Sequence, residues 1–200
     1  MGRIDRREIY EKGKAGVMAG FIAGMVVFVA FAAFDSEFRP SLSPFAFQTM
    51  IGLAVGLNGL PATIFGVVAH MLTAMTIGAV FCICSTLHPM LYINKTWKGV
   101  LGGGVTGLEV YAIFFMPITL FIVMPAINSI YSNTNLPGLT DDDRSMLAVI
   151  KANLPLIMWG SMIIHIMYGI IMGIYSSILL SEKYKIKKGP NSSSKISNTT

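Results

Sequence analysis

Three ionisable side chains fall inside long apolar stretches: His70, Glu109 and His165. Imidazoles can ligate a metal or the iron of a haem, and a carboxyl held away from water can relay a proton or hold a cation. His70 and His165 each lie roughly ten residues, or about 15 Å by helix rise, from the edge of their stretch, so they are expected at one depth. On facing helices they would suit axial ligation of haem b, or copper, with Met71, Met75, Met162 and Met167 close in sequence as thioether donors. The structural alternative has each neutral imidazole donating to a backbone carbonyl or hydroxyl of a neighbouring helix. The 14 methionines do not choose between these, because Met is also a routine gap-filler in apolar cores.

Glu109 stands about eleven residues into its stretch, roughly 120° around the helix from the small residues of that stretch and on a face shared with Gly102 and Thr106. It is expected to couple to one of the histidines, to Tyr111 on its own helix or to a group on another protein, to line a polar path, or simply to join helices as a hydrogen-bonded carboxyl. Cys82, Cys84 and His88 resemble a soft-metal cluster, but Cys82 is 200° from Cys84 on a helix, so structural thiols are expected. Asp141 to Asp143 read as the acidic first turn of a short helix or as a cation site. Asn94-Lys-Thr and Asn191-Ser-Ser have sequon form but fall on the expected inner side. No nucleophile with its base, no phosphate loop and no Gly-x-Gly-x-x-Gly after a strand is present, so no enzyme is expected.

The elements that must position these residues follow from composition. The chain has 200 residues, 54% hydrophobic and only 12% charged, and a mean hydropathy of +0.65. Such a chain cannot cover a water-facing surface with polar groups, and its natural solvent is a lipid bilayer. Two cysteines exclude a disulfide scaffold, and the basic residues sit in ends and loops rather than on a face, which excludes nucleic acid as a partner.

Roughly 20 apolar residues cross a bilayer core, and the sequence offers such runs at Ala15 to Phe34, Pro61 to Leu87, Gly99 to Val123 and Leu154 to Leu180. The first is too closely followed by others to be a cleaved signal peptide. Two shorter runs are expected as short outer helices lying in the interface or dipping in: Phe45 to Leu57, started by Ser43 and Pro44, and Met146 to Ile150, started by Thr140 and the acidic triplet. Pro117 and Pro125 should kink or end the third span. Twelve Lys and Arg fall on the side of the termini and the 88–98 loop, against Arg39, Arg144 and Lys151 on the other. By the positive-inside rule both termini are cytoplasmic, in a cell-membrane protein. The tail from about Gly189 is expected to be disordered.

Each span carries small residues four apart. Gly16, Gly20 and Gly24 in span one correspond at an offset of 83 to Gly99, Gly103 and Gly107 in span three. Gly66, His70, Ala74 and Gly78 correspond at an offset of 95 to Ser161, His165, Gly169 and Gly173. The difference of 12 implies a longer outer loop at Asn128 to Pro137. A spacing of four keeps each set on one helix face, where small residues let backbones approach in lipid. The expected fold is all-α: an integral membrane four-helix bundle, a helical hairpin duplicated in tandem with parallel repeats. Its parts are a basic N-terminus (1–14), hairpins at 15–87 and 99–180 joined by a loop (88–98), and a basic polar tail (181–200).

The glycine-rich first helix and the His-x7-Gly second helix of each half, as in His70 to Gly78 and His165 to Gly173, resemble small prokaryotic four-span membrane proteins of uncharacterised function, and the resemblance implies no activity. The expectation for function is an accessory or assembly subunit of a membrane complex, or a homo-oligomer. The alternatives are a haem- or metal-binding redox subunit using His70 and His165, and a small channel subunit with Glu109 in its path.

Overall fold

The computed structural model describes residues 6–38, 45–85, 87, 91–93, 95–132 and 141–187; the side chains of 31–38, 46, 131, 142, 143, 146 and 181–187 are not described. The described residues are helical with no strand: α1 (Arg6–Phe38), α2 (Ala46–Ala54), α3 (Gly59–Cys84), α4 (Thr96–Val110), α5 (Met116–Ile118), α6 (Met124–Ser132), α7 (Asp141–Ala152) and α8 (Leu154–Lys187). Four stretches are long and apolar enough to cross a membrane, Arg6–Ala30, Gly59–Cys84, Thr96–Ile130 and Leu154–Leu180. The protein is a multi-pass membrane protein built as a four-helix bundle with extra short helices.

Glycine sets the two tightest crossings. A Cβ built on Gly16 or Gly20 would overlap the backbone carbonyl of Gly78 or Ala74, and one on Gly99 or Gly103 would overlap that of Gly173 or Gly169. The pairs α1–α3 and α4–α8 therefore cross at positions related by the same offsets of 83 and 95 that the sequence displays. They differ one turn further on: Gly24 meets the side chains of Ala74 and Met71, whereas Gly107 still meets the His165 carbonyl. In lipid, such close backbone approach replaces the hydrophobic driving force available in water. The two hairpins join mainly through α1 and α8, where Ala19, Ala23 and Val27 pack with Tyr168 and Met172. α3 and α4 are not packed together in this way.

One sequence expectation about span three needs correction. Span three does not end or break at its prolines, and residues 128–132 are helix rather than loop. Wide π turns at Tyr111–Phe115 and Thr119–Val123 carry the helix past them. A proline ring clashes with the carbonyl four residues earlier. For Pro117 and Pro125 those residues are Ile113 and Phe121, the third residue of each π turn. Widening the turn there makes room for the ring.

α2, expected to lie in the outer interface or to dip in, packs closely against α3 and the distal cluster. Its Gly52 sits against the Ala62 backbone, Gly66 of α3 sits against the Gln48 carbonyl, and the Thr49 and Thr63 hydroxyls are 2.7 Å apart. Met50 and Leu53 of α2, Val123, Ile127 of α6, and Leu147 and Ile150 of α7 form one buried apolar cluster. α2 starts at Ala46 after Phe45, with no side-chain cap; Ser43 and Pro44, named above as its start, lie outside the described residues, as does Thr140.

α1 begins at Arg6, nine residues before the apolar run. Lys12 is 5% exposed: its ammonium bonds Glu8 at 3.2 Å and lies 4.8 Å above the Tyr92 ring. Its aliphatic stem packs at the terminal end of the bundle while its charge is matched locally, which a charge count cannot foresee. The tail from 188 lies outside the described residues, and so do both sequons' Asn94 and Asn191.

Candidate functional site

His70 lies near the middle of α3, and His165 lies about a third of the way along α8. Both line one cavity of about 300 Å³ that lies between α3, α8 and the π-turned part of span three. The wall is mostly apolar, with Phe47 from α2 and Phe114 and Phe115 from the first π turn. The His165 ring packs against Phe115, with centroids 4.9 Å apart, and against Tyr111 at 5.9 Å.

His165 does not donate to a neighbouring helix as the structural alternative had it. Its Nδ1 lies 2.6 Å from the Ser161 carbonyl, one turn back on its own helix. A carbonyl only accepts, so Nδ1 carries the hydrogen there and the neutral ring leaves Nε2 as an acceptor. No hydrogen bond of the His70 imidazole forms among the described residues.

Tyr168 went unnoticed in the sequence, although it lies three residues after His165 and so on the same helix face. Its hydroxyl donates to the Ala74 carbonyl at 2.6 Å and ties α8 to α3 across the cavity floor. Tyr168→Phe should lower stability by about 0.6–1.7 kcal/mol, the scale of interhelical hydrogen bonds in membranes, as measured by denaturation in detergent. An unchanged midpoint would show that the bond contributes nothing net.

The other candidate ligands do not gather at the histidines. None of Met71, Met75, Met162 and Met167 lines the cavity, and no group of three His, Cys, Asp or Glu that could hold a metal exists among the described residues. Among the described residues no Lys or Arg lines the cavity to neutralise haem propionates. Cys82 is buried and donates to the Ser176 hydroxyl at 3.2 Å, a packing role; Cys84 is half-buried, and His88 lies outside the described residues. Asp141 is exposed at the first position of α7, and the side chains of Asp142 and Asp143 are not described.

Glu109 does not line the cavity. It is exposed on α4 and pairs with neither imidazole, nor with any other described residue. Because Gly107 meets the His165 carbonyl, Glu109 lies within one helical turn of the depth of His165. The carboxyl therefore stands at mid-bundle and faces away from the protein. Gln48 is the other polar group the sequence did not flag: its Oε1 is buried and accepts no hydrogen bond. No family model, curated protein or solved structure matches the chain.

Proposed function

We propose that this is a non-enzymatic protein of the cell membrane, both termini cytoplasmic, that works by lateral assembly. In this role it is an accessory or assembly subunit held to a second copy or to another membrane protein through the Glu109 face of α4. The observation that carries the proposal is the outward-facing Glu109 carboxyl at the depth of His165, without a partner among the described residues. Lipid tails offer that group nothing, and an ionised side chain at the middle of a lone helix costs about 2.5–3.5 kcal/mol on insertion scales. A donor on a neighbouring helix removes that cost. Around it, Leu101, Val105 and Leu108 are exposed and apolar, as a helix partner requires.

Two further elements belong to the same proposal. The twelve-to-three asymmetry of Lys and Arg supports the inside location of the termini. The matched crossings at offsets of 83 and 95 support a duplicated hairpin with parallel repeats, related by a pseudo-twofold axis along the membrane normal. The channel alternative draws less support, since Glu109 faces away from the cavity. So do haem b and copper, since their extra ligands and counter-charges are absent from the wall.

Glu109→Leu should weaken association about 3- to 20-fold, the equivalent of about 0.6–1.7 kcal/mol for one interhelical hydrogen bond, while leaving the helical content of each chain intact. Light scattering in mild detergent, with a native pull-down to identify any second protein, reads the effect. A clean monomer without partners, or association equal in the wild type and the variant, would remove the proposal.

A further inference from the structure

Lateral assembly through Glu109 makes no use of the cavity at the histidines. At about 300 Å³ the cavity matches the small end of ligand sites, which run from about 300 to 1,000 Å³. Val55, Phe114, Ile118 and Ile122 line it and are also exposed on the outer surface. Its mouth therefore opens sideways, toward the bilayer, beside the poorly packed α3–α4 flank.

The polar groups inside are few, and some are already engaged. The Thr73 hydroxyl donates to the Ala69 carbonyl at 2.8 Å, and the Tyr168 hydroxyl donates to Ala74. The groups with no hydrogen bond among the described residues are the Thr119 hydroxyl, His165 Nε2, left as an acceptor by the Nδ1–Ser161 contact, and the whole His70 ring, which can present a donor or an acceptor.

The geometry points to a binding site for a neutral, membrane-dissolved ring compound bearing hydroxyl oxygens, of the quinol or phenol class. One hydroxyl donates to His165 Nε2, the second oxygen is met by His70, and the ring lies among Phe47, Phe114 and Phe115. A fatty acid or phospholipid head fits less well, because among the described residues no Lys or Arg lines the cavity to hold its charge. A bare acyl chain fits less well still, since it leaves both imidazoles without a hydrogen bond.

The test uses the full chain in nanodiscs, with a short-tailed benzoquinol as the probe and the same molecule with both oxygens methylated as its non-donating twin. The benzoquinol should bind saturably, and the methylated twin should bind about 10-fold more weakly, the scale of one or two hydrogen bonds. His165→Leu and His70→Leu should each weaken benzoquinol binding about 3- to 10-fold. Ala69→Leu, which fills the cavity wall without touching a glycine crossing, should abolish binding. It also keeps the test decisive if a histidine variant fails to fold. Absence of saturable binding, equal binding of the methylated twin, indifference to all three substitutions, or displacement of the probe by phospholipid at matched concentration would overturn the assignment.

Discussion

Gly103→Ala should loosen or unfold the α4–α8 pair, while Gly104→Ala, one residue further along the same helix, should leave the protein as stable as the wild type or slightly more so. The two changes add the same methyl group and gain the same helix propensity, about 1 kcal/mol for Gly to Ala. They differ only in what the methyl meets. At Gly104 the nearest atom outside its own helix is Ile170 Cγ1 at 3.5 Å, an ordinary van der Waals contact with a side chain that can turn. At Gly103 the methyl would overlap the Gly169 carbonyl, and a methyl on Gly169 would in turn overlap the Gly103 carbonyl.

Backbone cannot rotate aside, so the helices must separate, and separation also loses the approaches at Gly99 and Gly107 on the same face. Overpacking typically costs about 1–3 kcal/mol when side chains absorb it; here none can, and the upper end or beyond is expected, well above the propensity gain. Denaturation in detergent followed by circular dichroism reads the difference between the two variants. Equal stability would mean that α4 and α8 do not meet at Gly103.

This pairing shows why much of the architecture was readable beforehand. A spacing of four small residues has one geometric consequence in a helix, a narrow stripe, and in lipid a stripe of that kind has one main use. The same periodicity put His70 and His165 at one level, and they do line one cavity. It did not reveal that His165 bonds its own helix, because tautomer and rotamer depend on the neighbours, here Phe115 and Tyr111.

The third span shows where local rules stop. Pro117 and Pro125 each announce a disturbance, but whether the chain breaks, bends or widens its turn is set by what packs on either side. Here Val123 and Ile127 are held in the distal cluster, and the helix continues past both prolines with widened turns. Glu109 is intermediate. Its angle away from the glycine stripe was computable from the sequence, but the fact that no other helix of the chain covers that face was not, since it depends on how four helices are arranged.

Leu147→Ala and Leu53→Ala should each lower stability by about 2 kcal/mol or more, and Leu156→Ala should change it little. The comparison separates two accounts of the short helices. Phe45 to Leu57 and Met146 to Ile150 are too short to cross a bilayer, and a short apolar helix can lie in the headgroup layer or pack into a core with the same pattern. A leucine resting in the interface loses part of a transfer term when truncated, and its methyl groups are replaced by mobile lipid. Leu147 and Leu53 are 0% and 1% exposed and share a cluster with Met50, Val123 and Ile127, so truncation leaves a hole that lipid cannot enter.

Core Leu to Ala changes cost about 2–5 kcal/mol, the spread tracking the cavity left behind. In a bilayer the unfolded reference is itself partly apolar, which shrinks the transfer part and leaves the cavity part, so the lower end of that range applies. Leu156 lies on α8 and is 60% exposed, so its truncation opens no cavity. If all three variants melted together, α2 and α7 would be surface helices; a drop confined to Leu53 and Leu147 makes them the lid that closes the distal end of the bundle and holds Phe47 against the histidine cavity.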